Sequence, residues 1–342
     1  MRFPIALLTL LLPAALAAQT LQEEGPFVLW EGAKAQVLRI HQGRLERSAL
    51  GADHLLALEG LPALRLDLAP PAPAEAILPA PARIAAVSDI HGNFPGVVAL
   101  LRAQGILDAN RRWTFGQGHL VVVGDTFDRG AGVTECFWLL RSLEAQARAA
   151  GGRVHVLLGN HEVRALKGDT LYLNPKYDAL AALTGRTQGA LYGPDTEQGR
   201  WLRSRNVVMR LGDLLFVHAG LTPELAKALP DLAAINARFR KDLDVQGMTA
   251  MLGKDGPSFY RGLIPGKAKS DASDADVAAV LAAFQARAFV VGHSTLRQVT
   301  AFHGGLVFGI DADLQNNKPG ELWLWDQGKA WRGLADGTRI PL

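Results

Sequence analysis

Five apolar runs in this sequence end in side chains that bind metal ions. Ile84–Val87 leads into Ser88-Asp89-Ile90-His91-Gly92-Asn93, and Leu120–Val123 into Gly124-Asp125-Thr126-Phe127-Asp128-Arg129-Gly130. Val154–Leu158 leads into Gly159-Asn160-His161-Glu162, Leu214–Val217 into His218-Ala219-Gly220, and Phe289–Val291 into Gly292-His293-Ser294. Asp89 and His91 sit two apart on an expected extended strand end, so both can face one cation. A carboxylate with an imidazole suits borderline divalent metals such as Zn, Fe or Mn. Asp125 has two oxygens and can bridge two metals. Asn160 offers a neutral amide oxygen, which limits the negative charge facing an anionic phosphate. His218 and His293 add nitrogen donors for the second metal. Each motif alone is weak, since a histidine after a buried strand is commonly just a satisfied polar residue. The ordered set of five carries the inference.

The elements that position these residues follow from the apolar pattern. Short apolar runs separated by helical stretches read as strands buried on both faces. Ligands at their carboxyl ends converge on one rim, where α/β folds place their sites. Helices are expected at Pro95–Gln104, Val133–Ala150, Thr222–Leu229, Leu232–Leu243 and Asp274–Arg287, the first capped by Asn93 with proline in its first turn. Cys136, the only cysteine, falls on the apolar face of the second helix with Val133, Phe137, Leu140 and Leu143. A packing role is expected for it, and no internal disulfide is possible.

Residues 1–18 have the layout of a secretory signal peptide: Arg2, an apolar stretch, then small residues ahead of Gln19. Export is therefore expected, to the periplasm or beyond, with no membrane span in the mature chain. Residues 19–68 read as a small β-rich segment, with strands at Phe27–Trp30 and Ala35–His41. Residues 69–82 carry five prolines and read as an extended linker. Residues 83–342 form the α/β domain. Lys and Arg number 36 against 33 acids, with no basic run, so no nucleic-acid surface is evident. His41, His54, His119, His155 and His303 are expected to be structural or solvent-facing. Asp311 ends another apolar run, Val307–Ile310, and is read as a turn residue, with a place at the site's edge as the alternative.

With those residues laid out, the chain resembles the calcineurin-like metallophosphoesterases over most of residues 83–311. Within them it is most similar to the phosphoprotein phosphatase branch, and especially to bacterial Shewanella-like phosphatases. Asp128-Arg129-Gly130, Glu162, the stretch 194–205 and Ser258-Phe259-Tyr260-Arg261-Gly262 carry that finer likeness. Ser88 and Ala219 stand where the branch usually has glycine, and neither is a ligand position. The resemblance implies an α/β metallo-dependent phosphatase fold, two packed mixed β-sheets flanked by helices, with the small N-terminal β-rich addition outside the match. It implies a binuclear centre, with Asp89, His91 and Asp125 on the first metal and Asp125, Asn160, His218 and His293 on the second. It further implies His161 as proton donor oriented by Asp128, and Arg129 and Arg261 as grips on the phosphate. The implied reaction is hydrolysis of a phosphate monoester by in-line attack of a hydroxide held between two divalent ions, Mn, Fe or Zn. The expected substrate is a protein or peptide phosphorylated on Ser/Thr or Tyr, or a small phosphate ester. Alternatives are a nucleotide or dinucleoside polyphosphate hydrolase and a non-catalytic phosphate-binding module. The last would predict decay of a ligand or of the proton donor, and every one of these residues is present.

Overall fold

The apolar runs form the middle of two six-stranded sheets. The structure, a computed structural model, describes residues 21–316 and 318–342, so the expected signal peptide lies outside the described residues. In chain order the strands are β1 (Glu23–Glu31), β2 (Lys34–His41), β3 (Arg44–Ala49), β4 (Leu55–Leu56), β5 (Leu64–Arg65), β6 (Ile77–Leu78), β7 (Arg83–Val87), β8 (His119–Val122) and β9 (Arg153–Val156). There follow β10 (Val208–Leu211), β11 (Leu214–Val217), β12 (Ala288–Val291), β13 (Thr300–Phe302), β14 (Val307–Gly309), β15 (Glu321–Asp326), β16 (Lys329–Leu334) and β17 (Arg339–Pro341). One large sheet runs β13-β14-β12-β11-β10-β6 and the other β17-β16-β15-β7-β8-β9. Strands β7, β8 and β9 run parallel, as do β11, β12 and β14. Antiparallel neighbours such as β15 and β16 make both sheets mixed.

Side-chain alternation along each strand divides the core in two. Ile84, Ala86, Val121, Val123, Phe216, Val290 and Trp323 pack between the sheets. Their neighbours Ala85, Val87, Leu120, Val122, Leu215 and Val291 face outward and join the helices in a larger cluster. This explains why the runs are apolar throughout rather than alternating: each strand is covered on both sides.

The helix Phe94–Ala103 starts as its sequence dictates, with Asn93 Oδ1 accepting the Gly96 N–H at 3.0 Å. The helix Val133–Ala149 buries Cys136, and burial pushes that thiol far above its ordinary range. The helix expected to reach Arg287 stops at Ala283, because Gln285 turns to a left-handed φ of 52°. The strands β15 and β16 form a hairpin whose turn residues Gln327 and Gly328 both have positive φ, 47° and 83°, the twist that suits two-residue hairpins.

The N-terminal strands β1-β2-β3 form a small antiparallel sheet that packs on the main body. Trp138 Nε1 donates to the Pro26 carbonyl at 2.8 Å, and Trp30 Nε1 to Glu197 Oε2 at 2.9 Å. Phe27, Val28 and Trp30 belong to the same apolar cluster as Phe137 and Trp138. Within the proline-rich stretch, β6 pairs in parallel with β10 and so closes one sheet edge. Among the described residues no helix is long and apolar enough to cross a membrane.

Candidate metal centre

Beyond the strand ends the backbone leaves extended geometry. Asp89, His91, Asp125, Asp128, Arg129 and His293 all have left-handed φ, between 46° and 68°. The expectation that Asp89 and His91 lie on an extended strand end is therefore corrected: β7 stops at Val87, and both residues sit in a tight turn. Non-glycine residues at positive φ cost energy and concentrate at functional sites. The turn is held from outside, since His91 N–H and Gly92 N–H donate to the Asp125 and Thr126 carbonyls at 2.9 Å each.

Asp125 is the centre of the arrangement. Its Oδ2 lies 3.2 Å from His218 Nε2, 3.6 Å from His91 Nε2 and 4.0 Å from His161 Nε2. Among the described residues two groups of donor atoms lie within 4.8 Å of one another: His91–Asp125–His161 and Asp125–His218–His293. They share Asp125. Asn160 Oδ1 is 3.2 Å from His218 Nε2, which brings it to the second group. Asp89 borders the first group through its Oδ1, 3.8 Å from His91 Nε2. Its Oδ2 accepts from Ser88 Oγ–H at 2.6 Å and from His293 N–H at 2.9 Å.

The imidazoles are aimed by their second nitrogens. His91 Nδ1 donates to the Phe127 carbonyl at 2.9 Å and His218 Nδ1 to the Val123 carbonyl at 2.7 Å. Each ring thereby turns its Nε2 toward Asp125, the usual way a protein fixes a ligand's direction. The loop after β8 is shaped by Glu162. Its carboxylate accepts four backbone N–H groups, from Asp125, Thr126, Phe127 and Gly159, at 2.7–3.0 Å. Gly159 is required beside it, because a Cβ there would overlap both Asp125 Oδ1 and the Asp125 amide nitrogen.

Electrostatics follow from burial. Burial and the neighbouring Asp311 hold the Asp89 carboxyl well above its usual range. Burial brings His91 down to about 4 and, with His218 beside it, holds His293 well below its usual value. Asp125 and His218 oppose that trend: burial is outweighed by their mutual attraction, which holds Asp125 well down and lifts His218 to about 10. Asp311, expected to be a turn residue, is fully buried, and burial lifts it to about 6. Its Oδ1 accepts the Asp313 N–H at 3.1 Å while Oδ2 has no hydrogen-bond partner. Three crowded carboxylates, an amide oxygen and clustered imidazole nitrogens form a donor set that divalent cations satisfy. The residues fit a binuclear divalent-metal centre, with the identity of the metals open.

His161 lies beside this centre but is held differently. Its Nδ1 is 2.9 Å from Asp128 Oδ2, and its Nε2 is 3.4 Å from an Arg129 terminal nitrogen. The Arg261 guanidinium donates to the His293 carbonyl at 2.9 Å. Asp89, His91, Asp125, Asn160, His161, His293, Arg129 and Arg261 all line one cavity of about 720 Å³. Its wall includes residues that sequence patterning gave no reason to select. Tyr172 packs edge-on to His161 at 5.2 Å and lies under Arg129 and Arg164. It comes from a segment with no apolar periodicity, the signal that marked the strands.

Residues 82–296 match the Calcineurin-like phosphoesterase family, and the chain belongs to it. Within that family it is closely related to Shewanella-like and cold-active protein-tyrosine phosphatases. The crystal structure of the cold-active protein-tyrosine phosphatase of a psychrophilic Shewanella species is 32% identical, with a TM-score of 0.87 over 94% of this chain and 99% of that one. Shewanella-like protein phosphatase 1 of Plasmodium berghei is 25% identical over 222 residues, 62% of this chain and 61% of that one. An uncharacterised Schizosaccharomyces pombe protein is 36% identical over 158 residues, 44% of this chain and 48% of that one. The chain spans about half the length of this last relative.

Proposed function

We propose that this chain is a two-metal phosphomonoesterase acting on phosphorylated proteins or peptides, with phosphotyrosine the favoured residue. The observation that carries the reading is Asp125 ringed by imidazoles whose second nitrogens are anchored, beside the Asp128-held His161. The phosphotyrosine preference is supported by the near full-length likeness to a cold-active protein-tyrosine phosphatase.

In this reading Asp89, His91 and Asp125 hold one cation, and Asp125, Asn160, His218 and His293 the other. When bound, the two cations supply Lewis acidity and activate water at neutral pH. Arg129 and Arg261 take the phosphoryl oxygens through paired N–H donors, which fits the cavity positions of both guanidinium groups. His161 protonates the departing oxygen from Nε2. Asp128 fixes Nδ1 in the donor role and so aims Nε2 at the leaving group.

The test is hydrolysis of an aryl phosphate by metal-stripped protein, titrated with Mn, Zn and Fe, beside Asp125→Asn. Metal-restored turnover that Asp125→Asn lacks is the expected result. Folded protein with no turnover in any metal would remove the reading. A panel of phosphotyrosine, phosphoserine and phosphothreonine peptides with nucleotides then ranks the substrates.

A further inference from the structure

We propose that Lys254, Lys267 and Lys269 form a subsite at the mouth of the phosphate cavity for acidic side chains flanking the phosphorylated residue. The proposal rests on the phosphatase reading above and adds the charge of the preferred peptide to it.

The cavity has two charged zones. Its floor holds the metal-binding side chains, with Arg129 and Arg261 beside them, and these account for the phosphoryl group. The three lysines line the same cavity yet are exposed, Lys254 with 91% of its side chain accessible. Over the whole chain basic and acidic residues nearly balance, 36 to 33. In the segment 254–269 the cations are Lys254, Arg261, Lys267 and Lys269, against the single acid Asp255. Asp255 is opposite Lys254 at 3.9 Å, an exposed pair, and two further acids beyond the segment have partners of their own. Asp271 accepts the Gly266 N–H at 2.8 Å, and Asp274 pairs with His303 at 2.6 Å. Arg164, on the remaining wall, is neutralised by Asp169 and packs over Tyr172.

These charges are held in place. The loop bearing Lys267 and Lys269 is closed at its base by Ala272 N–H donating to the Gly262 carbonyl at 2.9 Å. Lys267 Nζ donates to the Thr295 carbonyl at 2.8 Å, two residues beyond His293. The Lys254 segment is tied to the turn after His218, where Ala219 and Gly220 N–H donate to the Pro257 carbonyl at 3.0 and 3.3 Å. The lysine positions are thereby referenced to the metal ligands themselves. An extended peptide advances about 3.3 Å per residue. A Glu, Asp or second phosphorylated side chain two or three residues from the reacting one therefore lies roughly 7–10 Å along the chain, beyond the floor and toward the mouth. A cavity of about 720 Å³ is large enough to admit part of the flank together with the phosphorylated side chain.

Exposed charge pairs are each worth about 1.5- to 5-fold in an equilibrium constant and weaken with salt. The experiment compares kcat/KM for three phosphotyrosine peptides, with acidic, neutral and basic flanks, each divided by that for an aryl phosphate without a flank. It is run at low and high ionic strength, for the wild type and for Lys254→Glu/Lys269→Glu. The expected wild-type order is acidic over neutral over basic, spread over roughly 10-fold at low salt. That spread should sit in KM and collapse at high salt, and the double variant should invert the order. A flank-blind wild type, or the same order in both proteins, would overturn the subsite. The wild-type arm decides even if the variant fails to fold. Faster turnover of nucleotides than of any peptide would also overturn it, by giving the lysines a polyphosphate instead. Absence of aryl phosphate hydrolysis by metal-loaded wild type would instead strike the phosphatase reading.

Discussion

Strands β8 and β9 carry buried histidines or histidine neighbours at both ends, and the two ends behave differently. Past their carboxyl ends stand Asp125, Asn160 and His161. At the other end His119 and His155 lie side by side, His155 Nε2 3.1 Å from His119 Nδ1. In the first region His91, His161 and His218 give Nδ1 to a carbonyl or carboxylate, and His91 and His218 turn Nε2 to the shared Asp125. In the second the rings satisfy each other, with Arg153 and Arg205 as the charged neighbours and, among the described residues, no carboxylate paired with either ring. Burial, then Arg153, brings His119 to about 4. Burial, then His119 and the two arginines, brings His155 to about 3. His91 and His218 therefore differ from His119 and His155 in having an anchored second nitrogen together with a nearby acid, rather than in burial or a strand end.

Removing the acid should erase the difference most completely. Asp125→Asn is expected to lose bound metal, measured by elemental analysis, and to bring turnover to background. His161→Asn should lower kcat by about 10²–10⁴-fold on alkyl phosphates. The loss should be smaller on a nitrophenyl ester, whose leaving oxygen needs no proton, and equal losses on both would remove the donor role. Gly159→Ala keeps every ligand but displaces Asp125, and a misplacement of that kind should cost roughly 10²-fold in kcat/KM. Full activity would mean that the loop tolerates the shift.

The smallest effect belongs to the other end. A histidine whose folded value lies below its unfolded value of 6.5 binds its proton more readily once unfolded. Stability from His119 and His155 is therefore complete above about pH 6.5 and is lost as pH falls toward 4 and 3. Thermal melts should show the midpoint dropping between pH 7 and 5. His119→Gln/His155→Gln should flatten that slope without changing the pH dependence of turnover.

Much of this was legible in sequence because each site motif directly follows an apolar run covered on both faces, by the opposite sheet and by helices. The middle strands, Cys136 and the helix Leu232–Leu243 follow from local pattern alone. What local pattern missed depends on distant partners. Asp311 looks like a turn residue until β14 places it beside Asp89. The left-handed φ values at Asp89 and His91 depend on carbonyls from the neighbouring loop. The strand β15 escapes notice because Trp323 faces the sheet interface while Glu321 pairs with Arg332 on β16. The helices Asn160–Leu166 and Glu197–Arg203 are one to two turns long, too short to leave a periodic signature.

The N-terminal sheet has a practical bearing on where this enzyme can be divided. The family match begins at residue 82, yet Phe27, Val28, Trp30, Leu38 and Ile40 share an apolar cluster with Phe137, Trp138 and Trp201. Buried Glu24 also pairs with Lys176, whose ammonium donates to the Ala131 carbonyl, next to the loop bearing Asp128 and Arg129. Cutting the chain at residue 82 would strip the cover from Trp138 and release a prop beneath the phosphate-binding loop. The span of the family match and the packed unit of this molecule have different borders.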